Sequence, residues 1–346
     1  MSSKLQSEAA FESTDFGFLY RQFTTPKPLP SDIQLDGQTA IVTGSNIGLG
    51  LSACRQLLEL GLSHLIMAVR SPTKGGEAAR VLRQQFKTAV ISVWPLDLES
   101  YESITEFVEK CKSLPRIDVA ILNAALMKAS HTTIHTTQHE TTLQVNYLST
   151  VLLSILLLPV LKQKRPDNAQ RPPVLSIVGS DLAWRVDIES KGPVFEQFDK
   201  PLGYNKMLWY GRTKVLLVFF MSKLAEVVSA DDVLINMPNP GTTRGTAFFR
   251  ESSTLAAKLI AILQFLGARR VDVGATTYLD AALVRGKESH GCFLSDWSIK
   301  SYPKLWYTSE GQAFRERLWE ETLEDLGLAQ AISVIESMGK ARPSGQ

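Results

Sequence analysis

The chain has 346 residues, 44% of them hydrophobic and 21% charged, with a formal net charge of +2; this is ordinary globular usage in a chain long enough to bury a substantial core. So small a charge gives no basis for a nucleic-acid groove or a polybasic membrane patch. Cys54, Cys111 and Cys292 are odd in number, far apart and outside any CxxC spacing, which excludes a disulfide framework and reads as reduced thiols in a cytoplasmic protein.

Residues 1–35 open with MSSKLQSEAAFESTDF, which carries acidic residues and no apolar run. This is not a secretory leader, and the segment reads as an irregular arm. From residue 36 to about 330, strand-length apolar and β-branched runs recur at 39–42, 65–69, 90–93, 119–122, 174–178, 234–237 and 292–294. Helix-period segments separate most of them, at 48–60, 103–111, 140–161 and 210–228. Alternation of this kind predicts right-handed crossovers and one doubly wound α/β domain of Rossmann type, with a mainly parallel seven-stranded sheet and helices on both faces. Residues 331–346 form a tail. The most apolar stretch, Val151–Leu161, is shorter than the roughly 20 residues a bilayer requires. It reads as a buried helix, and no integral membrane segment is expected.

TGSNIGLG, residues 43–50, falls at the turn from the first strand into the first helix of the domain. Backbone N–H groups and the positive end of the helix dipole make such a turn a site for an anion such as a pyrophosphate. Gly44 permits the sharp turn, Gly48 lets the anion approach the backbone and Gly50 lets helix pack on strand. Ser45, Asn46 and Ile47 complete the expected cofactor-binding loop. The GxxxGxG spacing differs from the commoner GxGxxG. At the end of the second strand, where NAD-binding folds often place an acid against the ribose 2′-hydroxyl, stands Arg70. A basic residue there suits a 2′-phosphate and points to NADP(H).

These motifs, with those that follow in order along the chain, resemble the short-chain dehydrogenase/reductase family over roughly residues 36 to 300. The resemblance assigns Asp97 and Leu98 of PLDL to the adenine, and Asn123 and Ala124 of LNAA to the stretch after the fourth strand. It assigns Pro240, Gly241 and Thr242 of NPGTT to the cofactor as well. Asn146 of QVNYLS, Ser180 of IVGSD, and Tyr210 and Lys214 of YGRTK match the family's catalytic set. The resemblance further implies that Asn146 holds a water in a proton relay and that Lys214 grips the nicotinamide ribose. AVRSPTKGGEAAR and the segment from ESHGCF to LWEE are similar to retinol-dehydrogenase-like reductases of filamentous fungi, many of which serve secondary metabolism.

YxxxK places Tyr210 and Lys214 on one helix face, a turn apart. Bringing a phenol from about 10 to about 7 takes on the order of 4 kcal/mol, and a fixed ammonium together with an oxidised nicotinamide can supply it. In reduction the same tyrosine donates a proton to the carbonyl oxygen, which Ser180 orients. Two departures from the family pattern stand out: Ala125 replaces a usual glycine, and the interval from Ser180 to Tyr210 is long. That insert is expected to cover the helix through which relatives dimerise, favouring a monomer over a homodimer, and to wall part of the pocket. Trp184, Tyr204 and Trp209 are candidates for the same cavity, against the commoner reading of such aromatics as core.

The variable segment at about 242–270 carries Phe248, Phe249, Leu259, Ile260, Leu263 and Phe265. It reads as an apolar lid over a bulky apolar substrate, in preference to a membrane-surface helix with Lys258, Arg269 and Arg270 at the headgroups. His131, His135 and His139 have helical spacing but lie in a threonine-rich loop without HExxH. No metal is expected, and the loop reads as solvated and bordering the active site. The expected activity is an NADPH-dependent reductase or the reverse dehydrogenase. The alternatives are a non-redox isomerising or dehydrating enzyme and a nucleotide-sensing regulator on the same fold.

Overall fold

The β-branched run Thr39–Thr43 forms β1, every residue of which is buried; it lies inside an eight-stranded sheet of order β3-β2-β1-β4-β5-β6-β7-β8. This computed structural model describes residues 1–200, 202–244 and 267–327, with 333, 334 and 338. The expected lid residues between 245 and 266, and most of the 331–346 tail, lie outside the described residues.

In chain order the elements are α1 (Asp15–Phe23), β1, α2 (Gly48–Glu59), β2 (His64–Val69), α3 (Pro72–Gln85), β3 (Val90–Pro95), α4 (Tyr101–Cys111) and β4 (Val119–Leu122). They continue as α5 (Thr141–Gln163), β5 (Val174–Ile177), α6 (Lys206–Val227), β6 (Leu234–Asn239), α7 (Val271–Leu279), β7 (Cys292–Ser295), β8 (Ser298–Lys300) and α8 (Ser309–Asp325). Seven strands are parallel, with registers such as Ile41 opposite Ile66 and Ala120. Helices α4, α5 and α6 pack on one face through Phe107, Leu152 and Phe219. Helices α2, α3 and α7 pack on the other through Leu57, Leu82 and Tyr278. Continuous apolar strands follow from burial on both faces. The strand order reverses between β1 and β4, which opens a crevice at the carboxyl ends of the strands.

The expected seventh strand is followed by an eighth, β8, which returns antiparallel to β7. Asp296 and Trp297 make the turn with φ of 53° and 55°, the left-handed pair a two-residue hairpin needs. Neither is the usual asparagine or glycine; Trp297 is buried and its indole donates to Thr276 Oγ1 at 3.1 Å. Helix α5 extends beyond the apolar run of the sequence to 23 residues, long and apolar enough by composition to cross a membrane. Within the protein it is a core helix, 89% of that window being buried.

The chain before residue 24 is not an irregular arm, whereas residues 24–35 do run without regular structure. Thr14 caps α1, its Oγ1 accepting from Gly17 N at 2.9 Å, and the chain before it folds in short helical turns. Ser2 is buried beside β7, its Oγ accepting from Phe293 N at 3.0 Å. What buries this segment is polar: Arg21 has 1% of its surface exposed, so apolar periodicity does not reveal it.

Candidate active site

The turn after β1 has the geometry an anion site requires. Gly44 and Gly48 take φ of 62° and 61°, a region that disfavours side chains. A Cβ on Gly44 would lie 2.9 Å from the backbone of Ala124, and one on Gly50 would lie 2.6 Å from the Gly44 carbonyl oxygen. A Cβ on Gly48 would meet nothing within 4 Å. Gly50 therefore serves helix-on-strand packing, while Gly48 faces open space where a ligand approaches. No side chain caps the start of α2, so its first N–H groups remain for an incoming acceptor.

Around this turn lies a cleft of about 710 Å³ whose walls come from the ends of β1, β4, β5 and β6. Gly44, Asn46, Ile47, Gly48, Asn123 and Ala124 line one part of it. Ser180, Tyr210, Lys214, Pro240, Gly241 and Thr242 line the other.

Asn205 starts α6, its Oδ1 accepting from Met207 N at 3.0 Å and Leu208 N at 3.1 Å. Tyr210 and Lys214 follow on one face, with the Lys214 Nζ 5.6 Å from the centre of the phenol ring. That ammonium donates to the Val178 carbonyl oxygen at 2.7 Å, and burial pulls it down to about 7. Burial pushes the Tyr210 phenol well above its ordinary value, while a hydrogen bond with Ser180 acts in the opposite direction. The expected lowering of the phenol is thus absent in the protein by itself. Desolvation outweighs the hydrogen bond, and the tyrosine is protonated at neutral pH.

Asn146 stands behind the cleft wall, fully buried in a π turn of α5, Gln144–Leu148. Its amide donates to the Leu126 carbonyl oxygen and its Oδ1 accepts from Leu126 N, each at 2.8 Å, and it also donates to Thr213 Oγ1 at 3.4 Å. It therefore ties the loop after β4 to α6 one residue before Lys214.

The profile described as short chain dehydrogenase matches residues 38–168. The short chain dehydrogenase virL of Hypocrea virens is 56% identical over 99% of this chain and 100% of its own. The short chain dehydrogenase/reductase mfmJ of Annulohypoxylon moriforme is 43% identical over 93% and 94%. The chain belongs to the short-chain dehydrogenase family. Among solved structures, the NADPH-dependent 3-quinuclidinone reductase of Rhodotorula rubra is 21% identical with a TM-score of 0.57, covering 79% of this chain and 96% of that one; the likeness is one of fold.

Several residues expected at the cofactor do not line this cleft. Ser45 is fully buried against the Cys54 thiol rather than on the cleft. Arg70, Asp97 and Leu98 lie outside the cleft walls. Arg70 is exposed at the end of β2 and ion-paired with Glu99 at 3.0 Å, an acid that the order of the sequence hid because it follows β3. Asn123 lines the cleft while its amide braces the glycine turn, donating to Thr43 O at 3.0 Å and accepting from the Tyr278 hydroxyl at 3.0 Å.

Trp184, Tyr204 and Trp209 do not line the cleft. Their polar atoms bond Ser301 O, Lys128 O and Phe198 O, as buried aromatics require. The histidine stretch is a largely exposed loop, as expected, but His139 within it lies between Asp199 at 3.0 Å and Asp325 at 2.7 Å, and His131 faces Phe198 O. The insert after Ser180 does lie over α6: a Cβ on Gly211 would meet Val186 at 2.6 Å, and Arg212 Nε donates to Asp187 O at 3.0 Å.

Sequence reasoning missed a buried charge cluster beside Ser180. Asp181 accepts from Arg21 Nε at 3.0 Å and Asn239 Nδ2 at 2.9 Å, and Arg21 also pairs with Glu12. Arg269 meets Asp296 at 3.1 Å, and Lys300 reaches Glu12 at 3.3 Å and Asp296 at 3.4 Å. The available signal was the Thr14–Asp15 helix start, after which Phe18, Arg21 and Gln22 share one face.

Proposed function

We propose that the protein is an NADPH-dependent carbonyl reductase, or the reverse dehydrogenase, acting on a ketone, aldehyde or secondary alcohol of a bulky apolar molecule in fungal secondary metabolism. What carries this reading is the meeting of Ser180, Tyr210 and Lys214 on the same cleft as the Gly44–Gly48 turn. The open space at Gly48, the uncapped start of α2 and the buried Lys214 fit a dinucleotide of this class. Bound there, the dinucleotide supplies or takes up the hydride.

The chain's own residues handle the rest of the reaction. Tyr210 holds the proton that passes to the carbonyl oxygen as the carbon is reduced, giving an alcohol. Ser180, hydrogen-bonded to the same phenol, orients that oxygen and adds a donor to it. Lys214, fixed on Val178 O, provides a positive charge behind the phenol when protonated. Arg70 supports the preference for a 2′-phosphate, by displacement from Glu99. The three free, buried cysteines suit a reducing cytoplasm, and the insert over α6 supports a monomer, which sedimentation at a single-chain mass would bear out.

The test is incubation with NADPH and a panel of polycyclic ketones and aldehydes, following absorbance and product mass. A product two hydrogens heavier is expected. Cofactor binding without any such product across the panel would favour the nucleotide-sensing alternative.

A further inference from the structure

The cleft has a wall that the Rossmann core does not supply. Asp15, Phe18 and Leu19 of α1 line it together with Leu182 and Arg185 of the loop after Ser180. Phe18 packs against Arg185, whose guanidinium lies 4.9 Å from its ring centre and pairs with Asp15.

Two buried side chains of its last turn, Arg21 and Gln22, fix α1 to the loops that carry the site. Arg21 bonds Asp181, the neighbour of Ser180, at 3.0 Å and lies 4.4 Å from the Trp184 ring centre. Gln22 receives Thr242 N at 3.0 Å and donates to Thr242 O at 2.7 Å and Gly267 O at 2.9 Å. The Arg21 carbonyl oxygen accepts from Arg269. A helix anchored by a buried ion pair and buried amide hydrogen bonds, with half-exposed apolar groups facing a cleft, is built to hold its position while offering a surface. Because Arg21 is tied to the neighbour of Ser180, that surface borders the catalytic end of the cleft.

We propose that α1 is a specificity-determining wall of the substrate site: Phe18 and Leu19 contact the flat apolar body of the carbonyl compound, and Arg21 and Gln22 position that wall on the Ser180 and Gly241 loops. This deepens the reductase reading and rests on it. Phe18 and Leu19 act on the part of the substrate remote from the carbonyl, so their removal weakens binding of large substrates and leaves small ones untouched. Arg21 and Gln22 act through them.

The experiment compares wild type with Phe18→Ala, Leu19→Ala, Arg21→Gln and Arg21→Lys, using 2-naphthaldehyde and propanal as probes with NADPH and NADH. Phe18→Ala and Leu19→Ala are expected to lower kcat/KM for 2-naphthaldehyde about tenfold, chiefly through KM, with propanal and cofactor KM unchanged. Arg21→Gln is expected to lose the same preference, and Arg21→Lys to restore part of it. Should the Arg21 variants fail to fold, the half-exposed Phe18 and Leu19 still decide the matter. Wild-type turnover with an unaltered preference in the Phe18 and Leu19 variants overturns the wall alone. Absence of wild-type turnover with either aldehyde and either cofactor overturns the reductase reading and the wall with it.

Discussion

Lys214 reaches the backbone just after β5, its ammonium 2.7 Å from the Val178 carbonyl oxygen and 5.6 Å from the Tyr210 ring centre. Burial separates the two groups electrostatically, pulling the lysine down to about 7 and pushing the phenol up. The tyrosine is therefore in its proton-donating form throughout the neutral range. Tyr210→Phe should lower kcat for carbonyl reduction by about 10²–10⁴, with cofactor affinity by fluorescence titration nearly unchanged. Wild-type kcat in that variant would remove the phenol from proton transfer.

Arg70 and Glu99 form a pair exposed to solvent, the kind that contributes little to stability. On the proposed NADPH reading its consequence lies in cofactor choice, since a 2′-phosphate would compete with Glu99 for the guanidinium. Arg70→Asp should reduce the NADPH-over-NADH ratio of kcat/KM by about ten- to a hundredfold, the worth of one charge-assisted bond. Glu99→Gln should shift the ratio the other way, and a ratio indifferent to both changes would place the 2′-phosphate elsewhere.

Gly50 and Gly76 are both helical glycines with opposite surroundings. A Cβ on Gly50 meets the Gly44 carbonyl oxygen at 2.6 Å, whereas one on Gly76 meets nothing within 4 Å. Gly50→Ala should cost about 1–3 kcal/mol through overpacking and weaken cofactor binding by displacing the turn. Gly76→Ala should gain up to about 1 kcal/mol from helix propensity. Thermal unfolding of the two variants in parallel distinguishes these signs.

His139 carries the clearest dependence of stability on pH. Burial by itself lowers its pKa, but hydrogen bonds to Asp199 and Asp325 outweigh that and hold it up at about 9. An unfolded histidine titrates near 6.5, so the folded protein binds this proton more tightly. The contribution is complete below about pH 6.5, shrinks as pH rises towards 9 and is gone above it. The gap in Tm between wild type and His139→Gln should accordingly be widest near pH 6 and closed by about pH 10. A gap that widens with pH would contradict the ion pairs.

The parts of the fold that were legible are those where one local pattern has one meaning. Buried parallel strands such as Thr39–Thr43 announce themselves by composition, and TGSNIGLG marks its turn because glycine alone takes φ near +60° without strain there. Ser180, Tyr210 and Lys214 were readable as an ordered series, and the structure brings them to one cleft. Asn146 was found, but its bonding to Leu126 depends on a π turn that no residue pattern encodes. The hairpin at Asp296–Trp297 was hidden because burial of Trp297 and its bond to Thr276 stabilise a conformation these residues seldom choose. Glu99 beside Arg70, and Asp181 beside Arg21, are pairings of charges far apart in sequence, and helical or strand periodicity carries no trace of them.

The seat of Arg21 has a bearing on how the molecule comes together. The residue it grips is synthesised 160 positions later, and Ser2 waits 291 positions for Phe293. The segment can dock only after these distant partners have formed, and long-range closure of this kind is slow. Until those partners are in place, the cleft beside Ser180 lacks the wall that Asp15, Phe18 and Leu19 supply.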